Sequence, residues 1–321
     1  MALGHIPLSF DASRRPLEWR SRLQRRPSHQ PVIGFRPHGE TPAAGRARLC
    51  RERGLRVKEA VDPTLQPSNR DRQKPRSGFA VELTYRQALE LLTALRDQTS
   101  PDAPDPTVRF IHHCLANITR SGSQFLQDLW VDYELGGHTG GFFVEFGAAD
   151  GLWCSNSRFF EAYRDWTGIL SEPARSWLPR LRRNRACFID ERCVWTETGA
   201  TLRFNEPQIT LHATIDAFSA SDMHAASRAH GERYDVETVS LNDLLAHWNA
   251  PRRIDYLSID TEGSELDILT AFDFERYDLR VVTVEHNFTP QRQAIFELLT
   301  GHGYVRKFEA LSSVDDWYVK T

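Results

Sequence analysis

The chain has 321 residues, of which 40% are hydrophobic and 26% charged, so it can bury a sizeable core and is neither a short peptide nor a fibre. No stretch approaches the roughly 18 apolar residues of a membrane span, and the charged N-terminus lacks the apolar centre of a secretory signal. We therefore expect a soluble, cytoplasmic protein, and the five scattered cysteines, which form no CxxC pair, exclude a zinc ribbon.

Charge divides the chain into two parts. Residues 1–76 hold 15 Arg and 2 Lys against 7 acidic residues, a net charge of +10, and 9 of the 17 prolines. The remaining 23 basic and 36 acidic residues give −13. Because residues 1–76 show neither a helical nor a strand period, we predict a basic, disordered extension there.

Helical patterns follow the basic segment. In residues 82–97 the apolar side chains recur at i, i+3, i+4 and i+7, which predicts an amphipathic helix. Two more helices are predicted over residues 108–119 and 125–133. We interpret residues 77–122 as a helical N-terminal cap and linker that precedes a domain over residues 123–321.

From residue 140 the pattern alternates between short apolar strands and amphipathic helices, which is typical of a parallel α/β sheet. The strands are predicted at 141–146, 168–172, 186–190, 254–260 and 280–286. The helices are predicted at 155–166, 174–184, 241–248, 264–272 and 291–299. Two last strands, 303–308 and 316–320, are close enough to be antiparallel. The expected fold is a Rossmann-like sheet of five parallel strands plus a C-terminal antiparallel hairpin, with helices on both faces.

The polar residues at the strand ends are the first candidates for a ligand site, because an open α/β sheet binds ligands at the carboxyl ends of its strands. Five candidates lie in and after the first strand, namely Glu145, Gly147, Ala148, Asp150 and Gly151. Glu172 ends the second strand, where an acid accepts hydrogen bonds from a ribose diol, and Asp190 ends the third. The arrangement predicts an adenosine-containing ligand.

The turn after the first strand favours S-adenosylmethionine (AdoMet) over NAD. It lacks the GxGxxG pattern that seats a pyrophosphate, since Ala149 replaces the middle glycine. The acidic Glu145 and Asp150 would repel phosphates but suit an ammonium and a sulfonium.

A second acidic group follows the fourth and fifth strands. These strands end in Asp260 with Glu262 and in Glu285 with His286, and the expected strand order brings all four side chains around one pocket. His286 is a candidate general base for a hydroxyl acceptor. Alternatively, Asp260, Glu262 and Glu285 could bind Mg²⁺, which would acidify a bound hydroxyl. The sequence does not decide between base and metal.

These motifs together resemble the FkbM family of AdoMet-dependent methyltransferases. The resemblance covers about residues 107–321 and is carried by Ser123-Gln124 with Gln127-Asp128, 143–151, Ser155-Asn156-Ser157, 170–173, 254–265 and 284–287. Its most specific part is the D-x-E-G-x-E segment that begins at Asp260. The resemblance implies O-methylation of a hydroxyl on a sugar, glycan or polyketide-like small molecule. It also implies AdoMet contacts from Glu145, Gly147, Asp150 and Glu172, with Gln124 and Asn156 lining the cofactor pocket.

The acceptor-binding part is expected in residues 205–236, a connection longer than usual, where 223–230 could form a helical lid. Arg228 and Arg233 are interpreted either as contacts for an anionic acceptor or as solvated side chains. A homo-oligomer is compatible with the sequence, which does not decide the oligomeric state.

Three other functions compete with an O-methyltransferase. A catalytically silent module with the same fold, working in glycan assembly or protein sorting, would bind cofactor without turnover. A nicotinamide oxidoreductase would bind NAD instead. A nucleic-acid methyltransferase is disfavoured, because the net charge of −13 beyond residue 76 repels phosphates.

Overall fold

The computed structural model describes residues 85–321, without the side chain of Tyr85. The predicted basic extension over residues 1–76 lies outside the described residues. Residues Ala88–Thr321 form one compact unit. The predicted boundaries at residues 77, 122 and 123 stay predictions.

Three helices precede the sheet. They are α1 (Tyr85–Gln98), α2 (Pro106–Asn117) and α3 (Gln127–Glu134). Asp105 caps α2 by accepting a hydrogen bond from the Thr107 backbone N–H at 2.7 Å, and Pro106 occupies the first turn, where its missing N–H costs nothing. These helices match the predicted ones within a few residues.

Three strands and two helices follow in alternation. They are β1 (Phe142–Phe146), α4 (Arg158–Tyr163), β2 (Thr167–Ser171), α5 (Leu178–Asn184) and β3 (Phe188–Asp190). All five residues of β1 are buried, as expected for a central parallel strand that is covered on both faces.

An insertion with its own small sheet comes next. It contains β4 (Cys193–Trp195), β5 (Thr201–Glu206), β6 (Thr214–Ile215), α6 (Ala225–Arg228) and β7 (Glu232–Ser240). These strands form a four-stranded sheet in the order β4-β7-β5-β6. The sequence predicted a lid here but missed this sheet, because β5 and β7 lack the continuous apolar runs by which the strands of the large sheet were predicted. The predicted helix over 223–230 shortens to the single turn of α6.

The chain then completes the large sheet. The last elements are α7 (Leu241–His247), β8 (Arg253–Ile259), α8 (Glu265–Thr270), β9 (Asp278–Glu285), α9 (Gln291–Gly301), β10 (Tyr304–Lys307) and β11 (Asp315–Lys320). Ser240 caps α7, since its hydroxyl accepts a hydrogen bond from the Asp243 backbone N–H at 3.1 Å.

The large sheet has seven strands in the order β10-β11-β9-β8-β1-β2-β3. The five strands from β9 to β3 pair in parallel, whereas β11 pairs antiparallel with both β9 and β10. This topology confirms the predicted fold class. Strand order reverses between β1 and β8, so a crevice is expected at their carboxyl ends.

Helices cover both faces of this sheet. One core cluster joins it to α7, α8 and α9, and the other joins it to α2, α3, α4 and α5. In the second cluster, Trp130 of α3 stacks on Trp317 of β11 with ring centroids 5.0 Å apart. Among the described residues, no helix has both the length and the apolar character needed to cross a bilayer.

We expect Ser240→Ala to destabilise the protein by about 1 kcal/mol, because the first turn of α7 loses its side-chain cap. Urea unfolding followed by circular dichroism measures this loss. Ser176→Ala is the control, since Ser176 is exposed and precedes α5. Equal stability of the two variants would show that the cap contributes nothing.

Candidate functional site

A cavity of about 250 Å³ lies at the carboxyl ends of β1, β2, β8 and β9. The sheet contributes Gly147 and Ala149 after β1, Glu172 after β2, and an acidic group after β8 and β9. The insertion contributes Phe204, Thr210, Leu211, His212, Ala213, Ile215, Met223 and His224. The cavity therefore has an acidic side built by the sheet and a largely apolar side built by the insertion.

Gly147 allows the turn after β1 to touch the end of β8. Its φ is +71°, and a Cβ at this position would lie 2.1 Å from the Asp260 carbonyl oxygen. A side chain is therefore excluded on both conformational and steric grounds.

Glu172 joins the turns that follow β1 and β2. Its Oε2 accepts a hydrogen bond from the Ala149 backbone N–H at 2.7 Å, and its Oε1 accepts one from the Ala174 N–H at 2.8 Å. Burial raises the pKa of Glu172 to about 7, with smaller contributions from Glu206 and Glu145. The carboxyl group lines the cavity in the place predicted for a ribose-binding acid.

The carboxyl cluster of Asp260, Glu262 and Glu285 forms the acidic side of the cavity. Oxygens of all three groups lie within 4.8 Å of one another, which is close enough for a metal ion to bind them together. Desolvation and the nearby Asp315 raise the pKa of Asp260 to about 8. Desolvation and Asp260 raise the pKa of Glu285 well above its usual range. The positive charges around the cluster are therefore too few to stabilise all of its carboxyl groups in the ionised form.

Arg228 of α6 is fully buried and connects the insertion to this cluster. Its Nη2 donates to Glu262 Oε2 at 2.6 Å, its Nη1 to Asp222 Oδ1 at 2.8 Å, and its Nε to the His212 carbonyl oxygen at 2.7 Å. The solvated side chain considered for Arg228 from the sequence is therefore wrong, and its guanidinium is bound by acids of the protein itself.

Glu145 does not line the cavity. Its carboxylate accepts hydrogen bonds from the Ser155 and Ser157 hydroxyls and, at 2.6 Å, from the Asn156 backbone N–H. Asn156 in turn donates from Nδ2 to Ser258 Oγ at 3.0 Å, and it too lies outside the cavity lining. The structure uses both side chains to hold the segment between β1 and α4.

Only one of the remaining predicted cofactor residues lines the cavity. Gln124 lines the cavity, whereas Ala148, Asp150, Gly151 and Asp190 do not. Asp150 Oδ1 accepts hydrogen bonds from the Leu152 and Trp153 backbone N–H groups. Asp190 is held by Arg192 and by Trp248 Nε1, and these hydrogen bonds outweigh desolvation and lower its pKa.

His286 also lies away from the cavity lining. Its Nδ1 accepts a hydrogen bond from the Phe288 backbone N–H at 3.0 Å, so the neutral ring carries its proton on Nε2. Nε2 is buried and lies 3.7 Å from Asp316 Oδ1. The ring thus has no free lone pair that faces a ligand, which removes the geometric basis for His286 as a general base.

His212 lines the cavity but was not considered in the sequence analysis, whereas His224 was included only in the predicted lid and Asn287 only in the motif 284–287. His212 and His224 of the insertion stack with ring centroids 3.8 Å apart. Asn287 Nδ2 lies 3.3 Å from Glu262 Oε2, and both residues have left-handed backbones with φ of +43° and +59°. Nothing local in the sequence marks the two histidines, because only the folded insertion places them against the sheet.

The family comparison matches the methyltransferase FkbM domain to residues 145–308, slightly more than half of the chain. The chain belongs to the FkbM methyltransferase family. The match includes the cavity residues after β2, β8 and β9 and confirms the resemblance stated from the sequence motifs.

Solved structures give further similarities to this FkbM methyltransferase chain. The FkbM methyltransferase of Methylobacillus flagellatus KT is 13% identical, with a TM-score of 0.40 over 73% of this chain. This chain spans 59% of the length of that protein. The precorrin-6y C5,15-methyltransferase of Geobacter metallireducens GS-15 is 12% identical, with a TM-score of 0.32 over 60% of this chain and 85% of that one. No curated protein shows a significant match.

Asp260→Asn is expected to stabilise the protein, and more at pH 8 than at pH 5. The pKa of Asp260 is about 8 in the folded state, against about 3.9 in an unfolded chain. The folded protein therefore loses stability as pH rises towards 8. Asparagine does not ionise, so the substitution removes this loss and stabilises the protein by about 1–2 kcal/mol. Thermal unfolding at both pH values measures it. Glu237→Gln, at an exposed position of β7, is the control, and a gain independent of pH would contradict the prediction.

Arg228→Met is expected to destabilise the protein by about 3–5 kcal/mol, because Asp222 and Glu262 would remain buried without their cation. Arg233→Met is the matched control, since the Arg233–Asp216 pair in the same insertion is partly exposed and contributes about 1 kcal/mol at most. Urea unfolding compares the two variants. Similar losses would mean that Arg228 does not anchor the insertion.

Proposed function

We propose that this FkbM methyltransferase chain is AdoMet-dependent and transfers a methyl group to a hydroxyl of a sugar, glycan or polyketide-like small molecule. The main support is the carboxyl cluster of Asp260, Glu262 and Glu285, which has a raised pKa at each group and faces a cavity in a methyltransferase domain. A ligand that carries positive charge would favour the ionised form of these acids. AdoMet carries both an ammonium and a sulfonium.

The donor and acceptor groups around the cavity fit AdoMet. Glu172 provides carboxylate oxygens for ribose hydroxyls, and Gly147 allows the ligand to approach the backbone. Gln124 lies at the cavity rim as a further polar contact. When bound, AdoMet supplies a methyl group on a positively charged sulfur. In this proposal Asp260, Glu262 and Glu285 attract the positive charge and orient it, while the insertion excludes water from the acceptor.

The other predicted cofactor residues are assigned indirect roles in this proposal. Glu145 and Asn156 hold the segment after β1, and Asp150 shapes its turn through the backbone N–H groups that it binds. Asp190 fixes the end of β3 through Arg192. These residues would keep the cavity in shape without touching the ligand.

Mg²⁺ at Asp260, Glu262 and Glu285 is the alternative use of the same cluster. Three carboxyl groups whose oxygens lie within 4.8 Å suit an oxygen-seeking divalent cation. Mg²⁺ at this cluster would either weaken or strengthen the binding of AdoMet. AdoMet titration with and without Mg²⁺ distinguishes competition from cooperation. The cytoplasmic location and a homo-oligomeric state stay predictions.

We expect Glu172→Ala to weaken AdoMet binding by about 1–3 kcal/mol, because the cofactor loses hydrogen bonds to a charged group. Isothermal titration calorimetry of the full chain with AdoMet measures the change. Glu237→Gln serves again as the control, since this carboxylate is exposed on β7.

Three results would each count against a part of the proposal. Unchanged affinity in Glu172→Ala would remove Glu172 from the cofactor site. A well-folded wild-type chain that binds NAD but not AdoMet would favour an oxidoreductase instead. AdoMet binding without methylation of any hydroxylated compound would favour the catalytically silent module.

A further inference from the structure

The insertion places an imidazole in the cavity in a form that can accept a proton. His212 lies in the 3-10 turn Thr210–His212 between β5 and β6, and it lines the same cavity as the carboxyl cluster. We propose that His212 is the general base that accepts the proton of the acceptor hydroxyl, and that Ser227 is the positioning residue that fixes its tautomer. The inference rests on the proposed methyltransferase function.

Hydrogen bonds around Ser227 determine where the proton of His212 lies. The Ser227 hydroxyl donates to the His224 carbonyl oxygen at 2.9 Å, and a carbonyl can only accept. The single hydroxyl proton is thereby used. His212 Nδ1, 2.8 Å from Ser227 Oγ, must therefore donate to that oxygen. A neutral ring protonated on Nδ1 has its lone pair on Nε2, the nitrogen that can act as a base.

The surroundings keep His212 neutral. Desolvation, the stacked ring of His224 and the charge of Arg228 lower its pKa to about 4, and Asp222 opposes them only in part. The pKa of His224 is lowered as well, chiefly by desolvation. Two imidazoles stacked at 3.8 Å also disfavour a charge on either ring, so the lone pair of His212 is available at neutral pH.

Such a weak base is sufficient for this reaction. The O–CH₃ bond forms as the S–CH₃ bond breaks and its electron pair stays on sulfur. The hydroxyl oxygen becomes increasingly positive during this change, and a protonated ether oxygen is a much stronger acid than an imidazolium. The hydroxyl proton therefore moves to His212 Nε2, and the resulting imidazolium releases it to water after the product leaves.

His286 offers a direct contrast. Its Nδ1 accepts from the Phe288 N–H, and its Nε2 is buried 3.7 Å from Asp316 without a hydrogen bond, so neither nitrogen offers a lone pair to a ligand. His212 has one nitrogen committed and lies in the cavity lining, whereas His286 does not. The geometry therefore assigns the general base to His212 of the insertion and not to His286 of the sheet.

The tautomer is tested first, on the full chain without AdoMet. Long-range ¹H–¹⁵N spectra of ¹⁵N-histidine protein, with His212 assigned from His212→Gln, are expected to show the Nδ1–H form between pH 6 and 8. Ser227→Ala should shift the ring towards the Nε2–H form, a change that a purely structural serine would not produce. An Nε2–H tautomer in the wild-type chain would overturn the proposal.

Turnover is tested second, with tritiated AdoMet and with catechol and methyl α-glucopyranoside as probe acceptors. His212→Gln should lower kcat by about 10²-fold or more and leave the AdoMet Kd within about twofold of the wild type. His230→Gln, an exposed histidine of the same insertion, should retain wild-type kcat. Wild-type kcat in His212→Gln would overturn the assignment of the base.

These experiments distinguish failure of the proposed methyltransferase function from failure of the base assignment alone. A wild-type chain that does not bind AdoMet in the calorimeter rejects the proposed function, and the base assignment fails with it. A chain that binds AdoMet but keeps full kcat in His212→Gln rejects only the role of His212.

Discussion

Burial of carboxyl groups is the constraint on which the site depends, because each one costs free energy unless donors or a cation compensate it. The structure treats its acids in two ways. Glu145, Glu172 and Glu265 accept hydrogen bonds from backbone N–H groups and hydroxyls and so stabilise turns. Asp260 and Glu285 have no comparable set of donors within the described residues, and burial together with neighbouring carboxyl groups raises the pKa of both. This deficit is located where the cavity opens and favours a ligand that brings positive charge.

The insertion completes the cavity, and the buried side chain of Arg228 connects it to the carboxylates of the acid cluster. Arg228 binds Glu262 of the sheet and also Asp222 and the His212 carbonyl oxygen of the insertion. The charge that partly stabilises the cluster therefore also positions the wall that carries His212 and His224. In this arrangement the electrostatics of the cofactor side and the shape of the acceptor side are physically coupled.

The element pattern was predictable because apolar periodicity reflects burial. The five parallel strands and the terminal hairpin follow from short apolar runs. The sheet of the insertion was not predictable in this way. Along β7 exposed charged residues alternate with Tyr234 and Val236, which is the pattern of a strand buried on one face, but β7 has no continuous apolar run of the kind that located the strands of the large sheet.

The sequence by itself determined the fold, the family and the strand ends at which the acids gather, since all three depend on local pattern and on motif spacing. Only the tertiary structure decided which of those side chains line the cavity. Glu172 and Asp260 face it, whereas Glu145, Asp190 and His286 are held by neighbouring groups. A residue at a strand end can point towards a ligand or towards its own loop, and the choice depends on donors that are distant in sequence. Likewise, the stacking of His212 on His224 arises only when the insertion folds against the sheet.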